Sequence, residues 1–210
     1  MKNKRRIWQI PFLLLLIFGS IYVIRQQQNT PYQRDEGFIF GTIYHITYQS
    51  DVNYQKEIEA ELQKVDNSLS PFNKTSIISR INRNEDVKVD NMFAEVFQLA
   101  EKISKETEGA FDITVAPMVN AWGFGFKTGN PPTQQTVDSL RAIVGFQKVT
   151  LKEEHVKKQN PHIMLDCSAI AKGYGSDIVA RFLKKKGIQN FMVEIGGEIV
   201  VNGNSDKQVP

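Results

Sequence analysis

Residues 162–175 read H-I-M-L-D-C-S-A-I-A-K-G-Y-G, and the fold of the chain turns on how this stretch is parsed. The apolar triplet Ile163-Met164-Leu165 ends on Asp166, and Ser168 stands where an N-cap belongs. Apolar residues then recur at Ile170, Tyr174, Ile178 and Phe182, with Ala171, Val179 and Leu183 beside them. The first piece has the length and content of a buried strand, and the second has the period of an amphipathic helix. A strand feeding directly into a helix leaves unpaired N–H groups at the helix start, whose partial positive charge can hold an anion. Asp166 projects at the strand end and Lys172 lies one turn into the helix. The stretch is therefore either a phosphate or nucleotide site or an ordinary capped helix over a sheet.

Downstream, the β-rich runs 191–195 and 198–201 are joined by Gly196-Gly197, a pair suited to a type I′ hairpin turn. Upstream, Phe38, Phe40, Thr42, Tyr44, Ile46 and Tyr48 alternate with their neighbours as in one strand, with Gly41 permitting close backbone approach. Ile58, Leu62, Val65 and Leu69 mark a helix. Residues 75–82 predict a short helix and 87–89 a short strand. Phe93, Val96, Phe97, Ala100 and Ile103 follow at helical spacing, with Gly109 as the stop. An aromatic loop, 122–126, leads into a Gly/Pro-rich surface loop, 127–133. Val137, Leu140 and Ile143 predict a further helix stopped by Gly145, and 146–151 with His155-Val156 predict a charged-turn hairpin. The fold class is α+β, with helices packed on a largely antiparallel sheet.

A chain of 210 residues with 41% hydrophobic content can bury one good core or two small ones. The net charge of +3 is small, and Lys2, Lys4, Arg5, Arg6 and Arg25 all lie near the N-terminus. The remainder has no basic excess suited to nucleic acid, so no nucleic-acid partner is expected. Cys167 is the single cysteine, which excludes an intramolecular disulfide or a multi-cysteine zinc site. His45, His155 and His162 are scattered without metal-ligand spacing, and no G-x-S-x-G elbow is present.

Residues 1–6 are basic, and 7–24 form an apolar run interrupted only by Gln9, Pro11, Gly19 and Ser20. That run just reaches a membrane span or makes a long signal-peptide core. The absence of an A-x-A-like cleavage site favours an uncleaved, single-pass anchor. The flanking charges place the N-terminus in the cytoplasm and the domain on the periplasmic or extracytoplasmic side of the inner membrane. Residues 25–37 read as a polar linker, and the folded domain runs over 38–210.

Four motifs stand in order: G-A-F-D at 109–112, P-x-V-x-x-W-G-F-G at 117–125, D-x-x-x-I-A-K-G-Y at 166–174, and I-G-G-E at 195–198. Together they resemble the ApbE-like family of FAD:protein FMN transferases, from about Phe38 to the chain end. The resemblance implies FAD in a cleft, Mg²⁺ on its diphosphate, and attack by a threonine or serine hydroxyl of a membrane redox protein. FMN is transferred and AMP departs. By position, Ala110, Phe111, Asp112, Asp166 and Lys172 contact FAD, and the Ala169 carbonyl is a Mg²⁺ ligand. The family's flavin-contacting methionine and tyrosine are here Phe40 and Phe72, which keep an apolar or aromatic face without the thioether or hydroxyl. No catalytic residue is assigned. The family's C-terminal metal ligands have no counterpart before Pro210, so the chain reads as the N-terminal portion of a longer enzyme, inactive alone. A FAD pyrophosphatase giving FMN and AMP, and a non-catalytic membrane-tethered flavin-binding protein, remain alternatives.

Overall fold

The alternating run that begins at Phe38 folds as a hairpin, not as one strand. The computed structural model describes residues 3–124 and 131–206 and, within the first helix, the side chains of 10–25 only. Helix α1 spans Asn3–Asn29, β1 spans Tyr32–Ile39 and β2 spans Thr42–Gln49. Phe40 and Gly41 make the turn between the strands, both at positive φ (53° and 76°), as a type I′ turn requires. The register Phe38↔Ile43 reverses parity at this turn. Phe38 is therefore 70% exposed while Tyr44, on the other face, is 2% exposed. The strand also starts inside the stretch that reads as linker. Its Asp35 is buried because Tyr48 Oη donates to Asp35 Oδ2 (2.8 Å) and Asn53 Nδ2 donates to Asp35 Oδ1 (3.0 Å).

Helices α2 (Gln55–Leu69), α3 (Ile77–Asn82) and α4 (Asn91–Glu106) follow. Both α3 and α4 are capped as their sequences suggest, Ser76 accepting from Ser79 N–H and Asp90 from Phe93 N–H. Gly109 stops α4 through a Schellman-type closure: its N–H donates to Ser104 O (2.8 Å), and that of Glu108 donates to Lys105 O (3.3 Å). Next come α5 (Ala116–Ala121), α6 (Gln134–Arg141), a 3₁₀ turn (Phe146–Lys148), and the hairpin of β3 (Val149–Lys152) and β4 (His155–Lys158). Helix α7 (Ser168–Lys185) leads into β5 (Phe191–Ile195) and β6 (Glu198–Asn202). Gly125, Phe126 and the loop residues up to 130 lie outside the described residues.

The main sheet is antiparallel throughout, in the order β1-β2-β5-β6. Helices α2 and α7 cover one face and run across two cores. Ile58 and Leu62 of α2, with Val179, Ala180 and Leu183 of α7, pack on Tyr44, Ile46, Tyr48, Val193 and Ile195 of the sheet. Val65 and Leu69, with Ala171 and Tyr174, enter the second core around Phe93, Val96, Phe97 and Ile113. Each fully buried Leu, Ile or Val side chain contributes roughly 1.5–3 kcal/mol, so the α2–α7 pair holds the two cores in register.

Two expected strands are absent. Val87 and Val89 are buried, but Val89 N–H makes a single backbone bond, to Glu154 O (2.8 Å). Residues 163–165 make only one bridge, Val115↔Met164, and form an extended segment without a sheet. In α1 every described side chain, from Ile10 to Arg25, is exposed, and no helix among the described residues is long and apolar enough to cross a membrane.

Candidate functional site

The segment 163–168 enters α7 by a different route from the one its sequence suggests. Cys167 occupies the N-cap position with no side-chain cap bond, and Ser168 is the first helical residue. The cap function falls to Asp166, whose Oδ1 accepts from Ser168 N–H (2.7 Å). Ile170 and Ala171 N–H both donate to Cys167 O. The helix start is thus no open anion hole. Its N–H groups are largely taken, and a carboxylate already sits on the positive end of the dipole. Any phosphate bound here must meet its counter-charge at Lys172.

Two adjoining hollows flank this entry and share Pro71, Phe72 and Ser168 as a common wall. One, of about 130 Å³, is lined by Phe40, Val65, Leu69, Ala171 and Lys172 as well. The other, of about 210 Å³, adds Asn82, Val119, Asn120, Phe124, Met164 and Asp166. Of the residues expected from sequence, Phe40, Phe72 and Lys172 line the smaller hollow and Phe72 and Asp166 line the larger, so the two hollows together, joined along their common wall, form the candidate cleft. Larger hollows lie elsewhere among the described residues, two of about 430 Å³ on the outer sheet face and beside β4 and one of about 240 Å³ between β1 and α2, and none of the three contains any of these four residues.

Each wall has a local cause. Phe40 reaches the cleft because the β1–β2 turn holds it in the left-handed region, a conformation that costs a non-glycine residue roughly 1–2 kcal/mol. Its ring lies on Gly175 of α7, where a Cβ would stand 2.7 Å from Phe40 Cε2. Lys172 Nζ donates to Gly196 O (3.1 Å) and lies 3.9 Å from Glu198 Oε1. The Gly196-Gly197 turn, with φ of 54° and 93°, packs so closely on Thr42 that a Cβ at Gly196 would stand 2.7 Å from Thr42 Cγ2. The two glycines thereby place the carbonyl that steadies Lys172.

The other expected residues stand apart from the cleft. Asp112 is committed internally: Oδ1 accepts from Thr114 N–H and Thr114 Oγ1 (both 2.7 Å), and Oδ2 accepts from Phe146 N–H (2.7 Å). Thr114 Oγ1 in turn accepts from Gly145 N–H (2.7 Å). Phe111 packs against the second core, and Ala110 is exposed. None of the three lines either hollow. Ala169 is exposed on the first turn of α7. Among the described residues no group of three or more His, Cys, Asp or Glu side chains could hold a metal ion. Burial pushes the Cys167 thiol up to about 12, with Asp166 adding to the shift, so this cysteine is a core residue and not a nucleophile. Asn82, Asn120 and Phe124 line the cleft without having been singled out, and Ser168, expected only as a cap, lines it too. Asn120 and Phe124 lie inside the P-x-V-x-x-W-G-F-G motif, whereas nothing in the local pattern distinguishes Asn82.

A model of the ApbE family matches residues 40–210. The FAD:protein FMN transferase of Haemophilus influenzae is 41% identical over 165 residues, covering 74% of this chain and 48% of the relative. That of Vibrio cholerae serotype O1 is 39% identical over 159 residues, covering 73% and 48%. Among solved structures, the flavin transferase ApbE from Vibrio cholerae superposes with a TM-score of 0.81 at 36% identity, over 86% of this chain and 62% of that one. The apo form of Pseudomonas stutzeri flavinyl transferase ApbE gives 0.79 at 28% identity, over 86% and 64%. The chain spans about half the length of the curated relatives it matches. With a family model matching most of its length, relatives up to 41% identical and the same helix-on-sheet architecture as solved flavin transferases, the chain belongs to the ApbE family.

Proposed function

We propose that this chain carries the flavin-binding cleft of an enzyme that transfers FMN from FAD to a threonine or serine hydroxyl of a membrane redox protein. The placing of Phe40, Phe72 and Lys172 around one hollow and of Asp166 in the hollow that adjoins it across Phe72 carries this reading. Phe40 and Phe72 offer apolar walls for a flat ring system, and Lys172 supplies the positive charge that a diphosphate requires. In the reaction, the acceptor hydroxyl oxygen bonds to the FMN-side phosphorus. The bond from that phosphorus to the oxygen bridging to AMP breaks, AMP leaves with that oxygen, and the hydroxyl proton is released. The chain's contribution is to position and to balance charge. Asp166 is held at the α7 N-terminus by its bond to Ser168 N–H and faces the cleft as a fixed carboxylate.

Mg²⁺ enters the same proposal as a counter-ion of the diphosphate. The described residues do not build a cage for it: the Ala169 carbonyl is the one donor expected from sequence, short of the near-octahedral oxygen shell Mg²⁺ demands. No step is assigned to the metal here. We also assign α1 to membrane attachment, on the strength of its exposed apolar side chains from Ile10 to Ile24, and place the domain outside the cytoplasm from the excess of Lys and Arg on the N-terminal side of the apolar run. Carbonate washing should leave the chain with the membrane, and quantitative release would refute attachment.

The catalytic reading is tested by incubating the protein, extended to the length of its relatives, with FAD, Mg²⁺ and an acceptor domain. Covalently flavinylated acceptor supports the transferase. Free FMN without labelling identifies a hydrolase, and intact bound FAD identifies a binding protein; either would overturn it.

A further inference from the structure

The segment that carries Asp166 is extended and, among the described residues, has backbone on one side only. Toward the 113–115 segment, Met164 bridges Val115, and Asp166 N–H donates to Ile113 O (2.7 Å). On the opposite side there is no strand. Leu165 N–H donates to Asn82 Oδ1 (2.7 Å) and Asn82 Nδ2 donates back to Leu165 O (2.8 Å). Beside it, Lys158 Nζ donates to both Ile163 O (2.9 Å) and Ile81 O (3.0 Å). Met164 and Asp166 thus contact the 113–115 segment, while the backbone of Ile163 and Leu165 is met by side chains. A primary amide presents one donor and one acceptor side by side, as a backbone edge does, so Asn82 imitates the missing neighbour.

We propose that Asn82, at the end of α3, is a positioning residue for Asp166 in the cleft, acting through the backbone of Leu165. Leu165 is fully buried, and among the described residues Asn82 is the hydrogen-bond partner of both its N–H and its C=O. The segment then gains freedom on one side, one residue before the carboxylate. Asn82 also lines the larger hollow, with one Nδ2 N–H and one Oδ1 lone pair engaged by Leu165, and the effect proposed here is the one transmitted through Asp166, which the cycle below separates from a direct contact.

This inference rests on the flavin reading for its ligand, and two measurements separate the two. Hydrogen exchange on the ligand-free chain should show Asn82→Ala lowering protection at the Asp166 amide by about tenfold or more, with the α7 interior unchanged. Unchanged protection at Asp166 overturns the proposal whatever the ligand. FAD titration of Asn82→Ala, Asp166→Asn and the double variant forms a cycle. Asn82→Ala should weaken FAD binding about tenfold when Asp166 is present and less than about twofold in the Asp166→Asn background. Additive losses, or unaltered binding by folded Asn82→Ala, overturn the proposal. An unsubstituted chain that fails to bind FAD refutes the flavin reading and leaves the exchange result to decide the positioning role. Should Asn82→Ala not fold, Asn82→Asp carries the same comparisons, since it keeps the acceptor for Leu165 N–H and loses the donor.

Discussion

Substituting alanine at two glycines of α7 separates helix propensity from the contact that shapes the cleft. Gly→Ala inside a helix is worth up to about 1 kcal/mol in favour of the folded state. At Gly173 an added Cβ meets nothing within 4 Å, so Gly173→Ala should show that gain in full. At Gly175 the same Cβ would stand 2.7 Å from Phe40 Cε2, 3.3 Å from Phe40 Cζ and 3.5 Å from Ile195 Cδ1. To reach ordinary contact at 3.4 Å the ring must retreat by about 0.7 Å, away from the helix and toward the hollow. Phe40 has little freedom to do so, because its backbone is fixed in a two-residue turn at φ 53°. Overpacking of this kind costs about 1–3 kcal/mol, which cancels or exceeds the propensity gain. Urea melts should therefore place Gly175→Ala about 1–3 kcal/mol below Gly173→Ala, and FAD titration should show weakening only for Gly175→Ala. Adding Phe40→Ala to Gly175→Ala should recover the stability gap. Equal melts and equal FAD affinities for the two single variants would refute the claim that Phe40 is seated on Gly175.

Three further outcomes are expected. Asp112→Ala removes the acceptor of three hydrogen bonds and should destabilise the chain by about 2–4 kcal/mol in chemical denaturation, while FAD affinity of the folded fraction stays within about threefold. Lys172→Ala should weaken FAD binding about tenfold or more and flatten its salt dependence, and Lys172→Gln should do the same. Alkaline pH should destabilise the fold: Tyr44 is pushed up to about 12 by burial and then Glu59, burial raises Tyr48 and Tyr174 as well, and Cys167 stands at about 12. In each case the folded state favours the neutral form, so stability holds below the unfolded-state values near 9 to 10 and falls as pH rises from there to about 12. Burial lowers Lys158, which acts in the opposite sense, but it is one group against four. Urea midpoints between about pH 8 and 11 check the sign.

The elements that could be read from sequence are those whose signal is local and periodic. Helix α4 shows its buried stripe and its stop in the order of its residues, and Gly196-Gly197 announces its own turn. The Phe40-Gly41 turn is hidden because phenylalanine at positive φ is no turn signal. Its stability comes from Gly175, far along the chain. The strand expected at 163–165 has the right residues but lacks a second backbone partner, since Asn82 and Lys158 stand where a strand was implied. The α7 cap escaped for a similar reason: the capping oxygen belongs to Asp166, while Cys167 holds the cap position. At the site, Asp166 and Lys172 are legible as motif residues, whereas Phe40 and Phe72 come into view only through the family resemblance. Whether Asp112 turns toward a ligand or toward Thr114 and Phe146 depends on backbone N–H groups from another segment, which no motif encodes.

The most direct test of the flavin cleft is a crystal structure of the chain grown with FAD. The account predicts a ring system in the hollows walled by Phe40 and Phe72, with Lys172 Nζ within hydrogen-bonding distance of a phosphate oxygen. FAD seated instead in the hollow on the outer sheet face, among Tyr32, Met192 and Val201, or no FAD bound at saturating concentration, would contradict it.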